Sequence, residues 1–496
     1  MSVLWPIVKR ARRSPRRVAV TDDQRQYSYA TLLAGACFVR SALRRQTQNR
    51  HVGLMLPTSG AFNIGLLACW FDRRVAVPLN YLLAKEELET VIDDSGLDTI
   101  ITVQPMLDYV GPANLPDHVR VIRLEDVSFK GMPCPTWPPR YKSDDLAALL
   151  YTSGTSGVPK GVMLTHGNLR SNIEQCIEHA HLDRAGAFLG VLPQFHSFGF
   201  TVLTLAPMVI GAQSIYTARF IPRKIIQLIR DHRPDVFVGI PSMYGALLSV
   251  KNAGPDDLKS LNLAVAGGEP LPDAVYSQFY ERFNITIREG YGLTETSPVT
   301  HWATPGASKR YSVGKPLPRV RQFVVDDNDN LLGPNEEGEI LLGGPNIMAG
   351  YYGMPDLTAQ VMTHLTPPGE DEPVRCFRTG DMGRIDEEGF LFITGRKKEM
   401  LIIGGENVFP REIEEVLNHH ESVHASAVIG QTDPMRGEVP IAFIEVEDGH
   451  QADETDLRTY CREHLAGYKV PRHIHVVEAL PRSPTGKILR RKLQAT

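Results

Sequence analysis

The sequence has little that would support a disulfide framework or a metal cluster. Its six cysteines are scattered over 496 residues without a CxxC pair, and this usage is typical of a reducing compartment. Apolar runs are short as well: the longest one near the middle, 200–210, contains two threonines and a proline. It falls well below the roughly 18 to 20 residues that cross a bilayer. We therefore expect no transmembrane segment and a cytoplasmic protein.

An excess of one charge sign is also missing. The 53 lysines and arginines stand against 57 aspartates and glutamates, which gives a formal net charge of -4, so nothing overall favours nucleic-acid binding. Basic residues do concentrate at 9–17, but they follow only a short apolar segment, the opposite of the order in a signal peptide. We interpret this segment as a solvated helix that ends before Pro15, with peripheral membrane contact as the most it would allow.

Hydrophobic residues make up 42% of the chain and charged residues 22%, as in an ordinary globular protein. Short β-rich runs alternate with helical patterns, and the runs 236–240 and 263–266 are typical of buried strands in a parallel sheet. Turn signals between 312 and 393 indicate a β-rich subdomain, and a compact α/β pattern returns after 395. We predict an α/β protein: a large N-terminal domain of parallel βαβ subdomains plus a β-rich subdomain, and a small C-terminal α/β domain.

The stretch 151–161, YTSGTSGVPKG, follows an apolar run and is rich in glycine and hydroxyl residues. Glycines let the backbone turn its N–H groups towards an anion, while hydroxyls and Lys160 add donors and a cation. This composition indicates a phosphate cradle. The stretch differs from the common loop GxxxxGK[ST], because Lys160 is followed by Gly161 and the spacing is wrong. Taken alone, it could also be a plain solvated turn.

Four further motifs stand in the same chain: YGLTE at 291–295, RTGD at 378–381, GRKKE at 395–399 and PTGK at 484–487. Together with the loop at 151–161 they resemble the acyl-adenylate-forming superfamily, and most of all its fatty acyl-CoA synthetases. The resemblance runs from about residue 15 to residue 493, with the motifs in the family's order. It implies an acid–thiol ligase that joins a carboxylic acid to AMP, releases pyrophosphate and then passes the acyl group to a thiol.

The resemblance also implies where ATP binds. The loop would hold the triphosphate, residues 267–269 would line the adenine and Tyr291 would stack on it. Asp381 would accept hydrogen bonds from both ribose hydroxyls, with Arg396 as a second ribose or phosphate contact. The implied nucleotide and pantetheine contacts are Thr152, Ser153, Gly154, Thr155, Ser156, Gly157, Lys160, Gly267, Gly268, Glu269, Tyr291, Gly292, Thr294, Asp381, Arg396, Gly404 and Gly405.

A magnesium ion is the implied metal. Glu295, together with Thr155 of the loop, would help to hold an Mg²⁺ that bridges the phosphate oxygens. Magnesium prefers hard oxygen ligands and few protein contacts. One glutamate beside the phosphates is therefore physically sufficient.

Lys487 resembles the family's adenylation lysine. An ammonium between the incoming carboxylate and the α-phosphate offsets their repulsion, although a lysine in so basic a tail would otherwise be solvated. In this family the small domain rotates after adenylation, and Lys398 occupies the hinge position. The implied division is 1–394 for the large domain, 395–398 for the hinge and 399–496 for the small, mobile domain.

The acid itself is less closely defined. His196 resembles the gate-region histidine near the acyl carboxylate, although a lone histidine among apolar residues is usually a satisfied core residue. Amino-acid-activating relatives place an aspartate just after this segment, whereas 198–201 reads FGFT, which favours an acid without an amine. Aromatic and methionine side chains could line an acyl tunnel, but such clusters are more often core. The candidates are Phe195, Phe198, Phe200, Met243, Tyr244 and Leu247.

We therefore expect a medium- or long-chain fatty acid as substrate, ATP with Mg²⁺, and CoA as co-substrate. An aryl acid stays open. So does the thiol of an acyl carrier protein, for which Arg490 and Arg491 would meet an acidic partner. A non-catalytic AMP-binding module is disfavoured, since Lys160, Glu295 and Lys487 are all present.

One position departs from the family pattern. Arg73, between Asp72 and Arg74, stands where relatives usually have a glycine. We expect this residue to have a structural role.

Overall fold

The structure is a computed structural model that describes residues 2–132, 137–153, 159–403, 406–433, 436–447, 449–482 and 486–494. Its α-helices are α1 (Leu4–Arg13), α2 (Tyr29–Gln46), α3 (Gly60–Phe71), α4 (Lys85–Ser95), α5 (Gln104–Val110), α6 (His166–Ala180), α7 (Ala206–Ile210), α8 (Pro222–His232), α9 (Pro241–Leu248), α10 (Pro255–Leu258), α11 (Asp273–Phe283), α12 (Pro355–Val361), α13 (Pro410–Asn418) and α14 (Glu454–His464).

Its strands are β1 (Val18–Thr21), β2 (Gln26–Ser28), β3 (His51–Met55), β4 (Val75–Pro78), β5 (Thr99–Thr102), β6 (Arg120–Arg123), β7 (Leu146–Ser153), β8 (Pro159–Thr165), β9 (Ala187–Gly190), β10 (Gln213–Tyr216), β11 (Val236–Gly239), β12 (Leu263–Gly267), β13 (Ile287–Gly292), β14 (Val299–Trp302), β15 (Lys315–Pro316), β16 (Arg321–Val325), β17 (Gly338–Gly343), β18 (Gly350–Tyr351), β19 (Met362–Leu365), β20 (Val374–Ile385), β21 (Leu391–Arg396), β22 (Leu401–Ile403), β23 (Glu406–Val408), β24 (Val423–Asp433), β25 (Gly437–Val446) and β26 (His473–Val476).

Two mostly parallel sheets form the first part of the molecule. One has the strand order β18-β8-β7-β4-β3-β5-β6, in which β7, β4, β3, β5 and β6 run parallel. The other has nine strands in the order β15-β14-β13-β12-β11-β9-β10-β1-β2, with a parallel centre from β13 to β1. The carboxyl ends of these central strands meet at one edge, the usual position for a ligand in an open α/β sheet.

An antiparallel sheet of β16, β17, β20 and β19, with β21 paired to β20, follows these two sheets. The last sheet contains β23, β22, β25 and β24, and β26 lies parallel to β25. A separate hydrophobic cluster formed by residues from Leu401 to Ile474 supports this sheet. The predicted α/β architecture, with a large N-terminal part and a smaller C-terminal part, is confirmed.

The local sequence explains the main elements. All four residues of β11, Val236 to Gly239, are buried, because a strand covered on both faces is apolar throughout. Pro222, Pro241 and Pro410 each stand at the start of a helix, where the missing N–H costs nothing and the fixed φ favours the helix.

Two strands are longer than the sequence predicts. The apolar runs 425–429 and 441–446 indicate short strands, but β24 and β25 pair from Val423 opposite Val446 to Asp433 opposite Gly437. The hairpin continues through polar residues such as Thr432 and Glu438, since backbone pairing does not require apolar side chains once the register is set. In the described residues no helix is long and apolar enough to cross a bilayer.

Candidate active site

The predicted site residues gather at the carboxyl edge of the nine-stranded sheet. Gly267 ends β12 and is followed by Gly268 and Glu269, while Tyr291 and Gly292 end β13. The tight packing here explains one glycine: a Cβ at Gly292 would lie 1.9 Å from the carbonyl oxygen of Pro298. The backbone therefore turns where no side chain fits.

Asp381 is the most deeply placed acid of the site, with 3% of its surface exposed. Its Oδ1 lies 2.7 Å from Nε of Arg396, the residue opposite it across β20 and β21. The hydroxyl of Tyr291 donates to Oδ2 at 2.5 Å. Burial raises the pKa of the Asp381 carboxyl, and Arg396 beside it acts in the opposite direction. Each oxygen keeps a further lone pair for a ligand hydroxyl.

A left-handed glycine presents this carboxylate. Gly380 has φ +69° and no atom near its Cβ position, so the glycine is needed for the backbone conformation and not for space. The N–H of Asp381 donates to Oγ1 of Thr379 at 3.0 Å, and that hydroxyl donates to the carbonyl of Ile340 at 2.8 Å. The RTGD motif is therefore a turn built into β20.

Lys487 reaches the same place from the C-terminal part of the chain. A Cβ at Gly268 would lie 3.4 Å from Cε of Lys487, and one at Gly486 would lie 2.8 Å from Cδ1 of Ile240. The turn that carries the lysine thus packs on the loops after β11 and β12. Burial lowers the pKa of the Lys487 ammonium, while the nearby Glu269 carboxylate raises it.

This environment predicts a pH dependence. We expect the adenylation rate to fall as pH rises, with its basic limb below the ordinary lysine value of 10.5, because only the ammonium offsets charge repulsion. A series of single-turnover rates against pH measures the limb. Lys487→Arg keeps a cation that does not titrate in this range. Whatever adenylation rate this variant retains should therefore show no fall at high pH. If the adenylation rate of the variant falls at the same pH as that of the unchanged enzyme, the group that titrates is not Lys487.

His196 lies close enough to Lys487 for their charges to interact. Burial lowers its pKa to about 3, and the Lys487 charge acts in the same direction. Its Nδ1 accepts the N–H of Phe198 at 3.3 Å, which leaves the proton of the neutral ring on Nε2. His196 therefore offers an N–H donor beside Lys487 and carries no charge at ordinary pH.

The phosphate side of the site contains contacts between distant segments. Nζ of Lys160 lies 5.5 Å from the ring centroid of Tyr351, and the Tyr351 hydroxyl donates to Oε1 of Glu295 at 2.8 Å. Oγ1 of Thr294 donates to Oγ of Ser197 at 3.2 Å. These contacts place Glu295 between Lys160 of β8 and the segment that carries His196.

The predicted phosphate loop is partly strand. Thr152 belongs to β7 and Lys160 to β8, and the two stand opposite each other in an antiparallel pair, because backbone pairing continues beyond the apolar run. Gly154, Thr155, Ser156 and Gly157 lie outside the described residues, as do Gly404 and Gly405, and so does the side chain of Ser153. Their predicted roles stay predictions.

Three of the six proposed tunnel residues pack in the core. Phe200, Tyr244 and Leu247 are fully buried in the main hydrophobic cluster, and the Tyr244 hydroxyl donates to the carbonyls of Phe237 and Val265. Composition could not separate core from tunnel, since both use the same side chains.

The other three lie nearer the site. Phe198 packs on Gly267 and Met243 on Gly239. A Cβ added at these glycines would lie 3.0 Å from the Phe198 ring and 3.5 Å from Sδ of Met243. Phe195 packs edge-to-face on Tyr81, with centroids 5.1 Å apart.

Arg490 has a different role from the one expected. The sequence suggests a surface cation for an acidic partner, but its guanidinium bonds Glu414 at 2.6 Å and Glu399 at 2.9 Å. Its charge is therefore satisfied within the chain. Lys398 lies exposed in the short 3-10 turn Lys397–Glu399, between β21 and β22. Sequence reasoning missed Tyr351, because a Gly-Tyr pair carries no chemical signature of its own.

The positions of these groups fit one kind of substrate. A buried carboxylate such as that of Asp381 can accept hydrogen bonds from two hydroxyls, and ammonium groups such as those of Lys487 and Lys160 can pair with phosphates. Fold and site together define a nucleotide-dependent enzyme with a lysine supplied by its C-terminal part. The chain belongs to the AMP-binding enzyme family: residues 7–352 match that family and residues 412–487 match its C-terminal domain.

Similar proteins include several whose names specify a CoA ligase, synthase or synthetase. A long-chain-fatty-acid–CoA ligase of Bacillus subtilis (strain 168) is 31% identical over 97% of this chain and 92% of that protein. A feruloyl-CoA synthase of an Amycolatopsis species is 32% identical over 98% and 97%. The o-succinylbenzoate CoA synthetase of Bacillus subtilis, solved with its acyl-adenylate intermediate, is 26% identical with a TM-score of 0.86, covering 100% of this chain and 98% of that one. This protein is an AMP-forming acyl-CoA ligase.

Proposed function

We propose that the acid activated by this ligase is a medium- or long-chain fatty acid and that the acceptor is the thiol of CoA. The observation that carries the proposal is that the segment around His196 has no acidic side chain. Residues 199–205 are all buried, and 185–230 contain no aspartate or glutamate. An acid bearing an ammonium would find no counter-charge in this segment, whereas an alkyl chain needs none.

Adenylation would proceed at the groups described above. The carboxylate oxygen attacks the α-phosphorus, an O–P bond forms, and the bond to pyrophosphate breaks. Lys487 would lie between the two anions and reduce their repulsion, while Nε2–H of His196 would orient the carboxylate. Asp381 would hold the ribose so that the attack is in line.

The residues on the phosphate side fit an Mg²⁺ ion. The Glu295 carboxylate supplies a hard oxygen ligand, and no group of three or more His, Cys, Asp or Glu side chains able to hold a metal occurs in the described ranges. Glu295 would therefore be the described ligand of a magnesium ion, with Thr155, which lies outside the described residues, as the second proposed ligand. When bound, the ion would neutralise phosphate charge.

Thioester formation would require Lys487 to leave. In the present arrangement Nε2 of His419 lies 3.2 Å from Oδ2 of Asp273, and Gly486 packs on Ile240. A rotation about 395–398, with Lys398 as the hinge, would break both contacts and open a path to the acyl carbon. The thiolate then attacks that carbon and AMP leaves. We therefore propose domains of 1–394 and 399–496.

The function is tested by pyrophosphate release with ATP, Mg²⁺ and a panel of acids, each with and without CoA. We expect straight-chain acids to give turnover that rises when CoA is added, with amino acids inactive. Release that CoA leaves unchanged would point to the thiol of a carrier protein. Turnover with amino acids in preference to fatty acids would contradict the proposal.

An aryl acid is the second candidate, and a specific observation favours it. The rings of Phe195 and Phe198 flank His196 in the chain, and Phe198 lies against Gly267, so aromatic side chains are available to pack on an aryl acid. The likeness to a feruloyl-CoA synthase agrees with this alternative. In the same panel, kcat/KM that peaks with aryl acids and falls with chain length would favour it.

A further inference from the structure

A basic cavity of about 490 Å³ lies away from the ATP site, and its volume is in the range of small-molecule sites. It borders the ends of α2 and α3, just before β4 begins at Val75. Since β4 and β7 run parallel and the predicted phosphate loop follows the carboxyl end of β7, the cavity lies at the opposite edge of that sheet. The lining residues that matter here are Arg40, Arg44, Asp72, Arg73, Trp137 and Arg140.

One buried carboxylate organises the arginines. The Asp72 side chain is 2% exposed and lies 3.0 Å from Nε of Arg74 and 3.4 Å from Nε of Arg40. It also accepts a hydrogen bond from Nε of Arg44. Arg74 also donates a hydrogen bond from Nη2 to the carbonyl oxygen of Thr47 at 3.0 Å. A single negative charge thus fixes three guanidinium groups, and two of them line the cavity.

The other side of the cavity carries charge without a counter-ion. Arg73 and Arg140 both line it, and neither has an ion-pair partner in the part of the chain that the structure describes. Arg73 has φ +58°, a conformation that favours glycine. Its guanidinium lies 5.8 Å from the ring of Tyr141. At the rim, Trp137 is 72% exposed.

We propose that this cavity binds a ligand that bears a phosphate group. Four arginines against one carboxylate leave a positive field, which a concave wall focuses. Planar guanidinium groups match phosphate oxygens in pairs. The volume exceeds that of a single phosphate, and the exposed ring of Trp137 offers an apolar contact for the rest of the ligand. The phosphate could belong to a soluble compound or to the headgroup of a phospholipid.

The position of Arg73 allows a variant that does not disturb the fold. Arg73→Gly removes one guanidinium and inserts the residue that tolerates a positive φ best. Combined with Arg140→Ala it removes both cavity-lining cations that have no ion-pair partner among the described residues. Arg223→Ala, an exposed arginine on α8, is the control for the loss of an arginine outside the cavity.

Calorimetric titration of the full-length protein with pyrophosphate at low ionic strength tests the proposal. We expect the double variant to bind one pyrophosphate fewer than the unchanged protein, or to bind it at least about tenfold more weakly at that site. The Arg223→Ala variant should bind like the unchanged protein. Turnover with ATP and acid should be kept in all three, which separates this site from the catalytic one.

Protection of arginines from phenylglyoxal, read by peptide mass spectrometry, locates the site and its source. Pyrophosphate should protect Arg73 and Arg140 but not Arg223. If vesicles containing phosphatidylglycerol protect the same pair while pyrophosphate does not, the ligand is a lipid headgroup, and phosphatidylcholine vesicles serve as their control. Absence of protection by either probe, with equal stoichiometry in the double variant, would overturn the proposal.

Discussion

Replacing Lys487 with alanine is expected to lower the adenylation rate by about 10²- to 10³-fold, the usual effect of losing one charged or donor group aimed at a transition state. Transfer from a supplied acyl-AMP to CoA should stay within a few-fold of its normal rate, since in the proposed mechanism the lysine leaves before the thiol enters. Burst kinetics of pyrophosphate release measure the first step, and thioester formation from synthetic acyl-AMP measures the second.

The neighbouring tail residue gives a matched control. Lys492 is exposed in the same basic segment, and Lys492→Ala should leave both half-reactions unchanged. A loss of adenylation with thioester formation preserved would assign Lys487 to the first half-reaction. Equal loss of both steps in the Lys487→Ala variant would mean a general effect on the site or on folding, and it would remove the adenylation role from this lysine.

The parts of the fold that the sequence predicts well are those that local chemistry determines. The sequence pattern after 395 predicts a helix over 410–418, and α13 begins at Pro410 and ends at Asn418, because proline fixes the first turn. Strand β4 coincides with the apolar run 75–78. In both cases the residues that define the element also define its ends.

Other features depend on residues that are distant in sequence. Tyr351 and Glu295 share a hydrogen bond across 56 positions, and nothing near either residue indicates the other. The same holds for Arg490, whose surroundings in sequence are basic while its partners Glu399 and Glu414 belong to earlier elements. Such pairs are fixed by the tertiary fold, which a single sequence does not display.

Apolar side chains near the substrate present a third kind of difficulty. Phe198 and Phe200 are two positions apart and chemically identical, yet Phe200 is fully buried and Phe198 only partly. Phe200 lies in the buried segment 199–205, whereas the ring of Phe198 lies against Gly267. The difference follows from orientation, which hydrophobicity does not encode.

Asp381→Asn is expected to raise KM for ATP so that kcat/KM falls by about 10²-fold or more. The amide keeps the shape but loses the charge that pairs with Arg396 and that strengthens hydrogen bonds from ribose hydroxyls, each worth about 1.5 to 3 kcal/mol to a charged group. Because the proposed ribose contacts would be present in both ground and transition states, KM should change more than kcat. Asp329→Asn, an exposed ion-pair partner of Arg378 in the same subdomain, should leave both constants near normal.

A thermodynamic cycle completes this test, in which the Asp381→Asn substitution is combined with removal of one ribose hydroxyl of ATP. The unchanged enzyme should lose about tenfold in kcat/KM with 2′-deoxy-ATP, which corresponds to one charge-assisted hydrogen bond. The Asp381→Asn enzyme should lose much less, because the hydroxyl no longer meets a carboxylate and the two changes then fail to add. If the effects of the substitution and of the missing hydroxyl on kcat/KM are fully additive in free energy, Asp381 does not contact this hydroxyl. In that case the bond from Tyr291 and the ion pair with Arg396 would define Asp381 as a positioning residue for those two side chains.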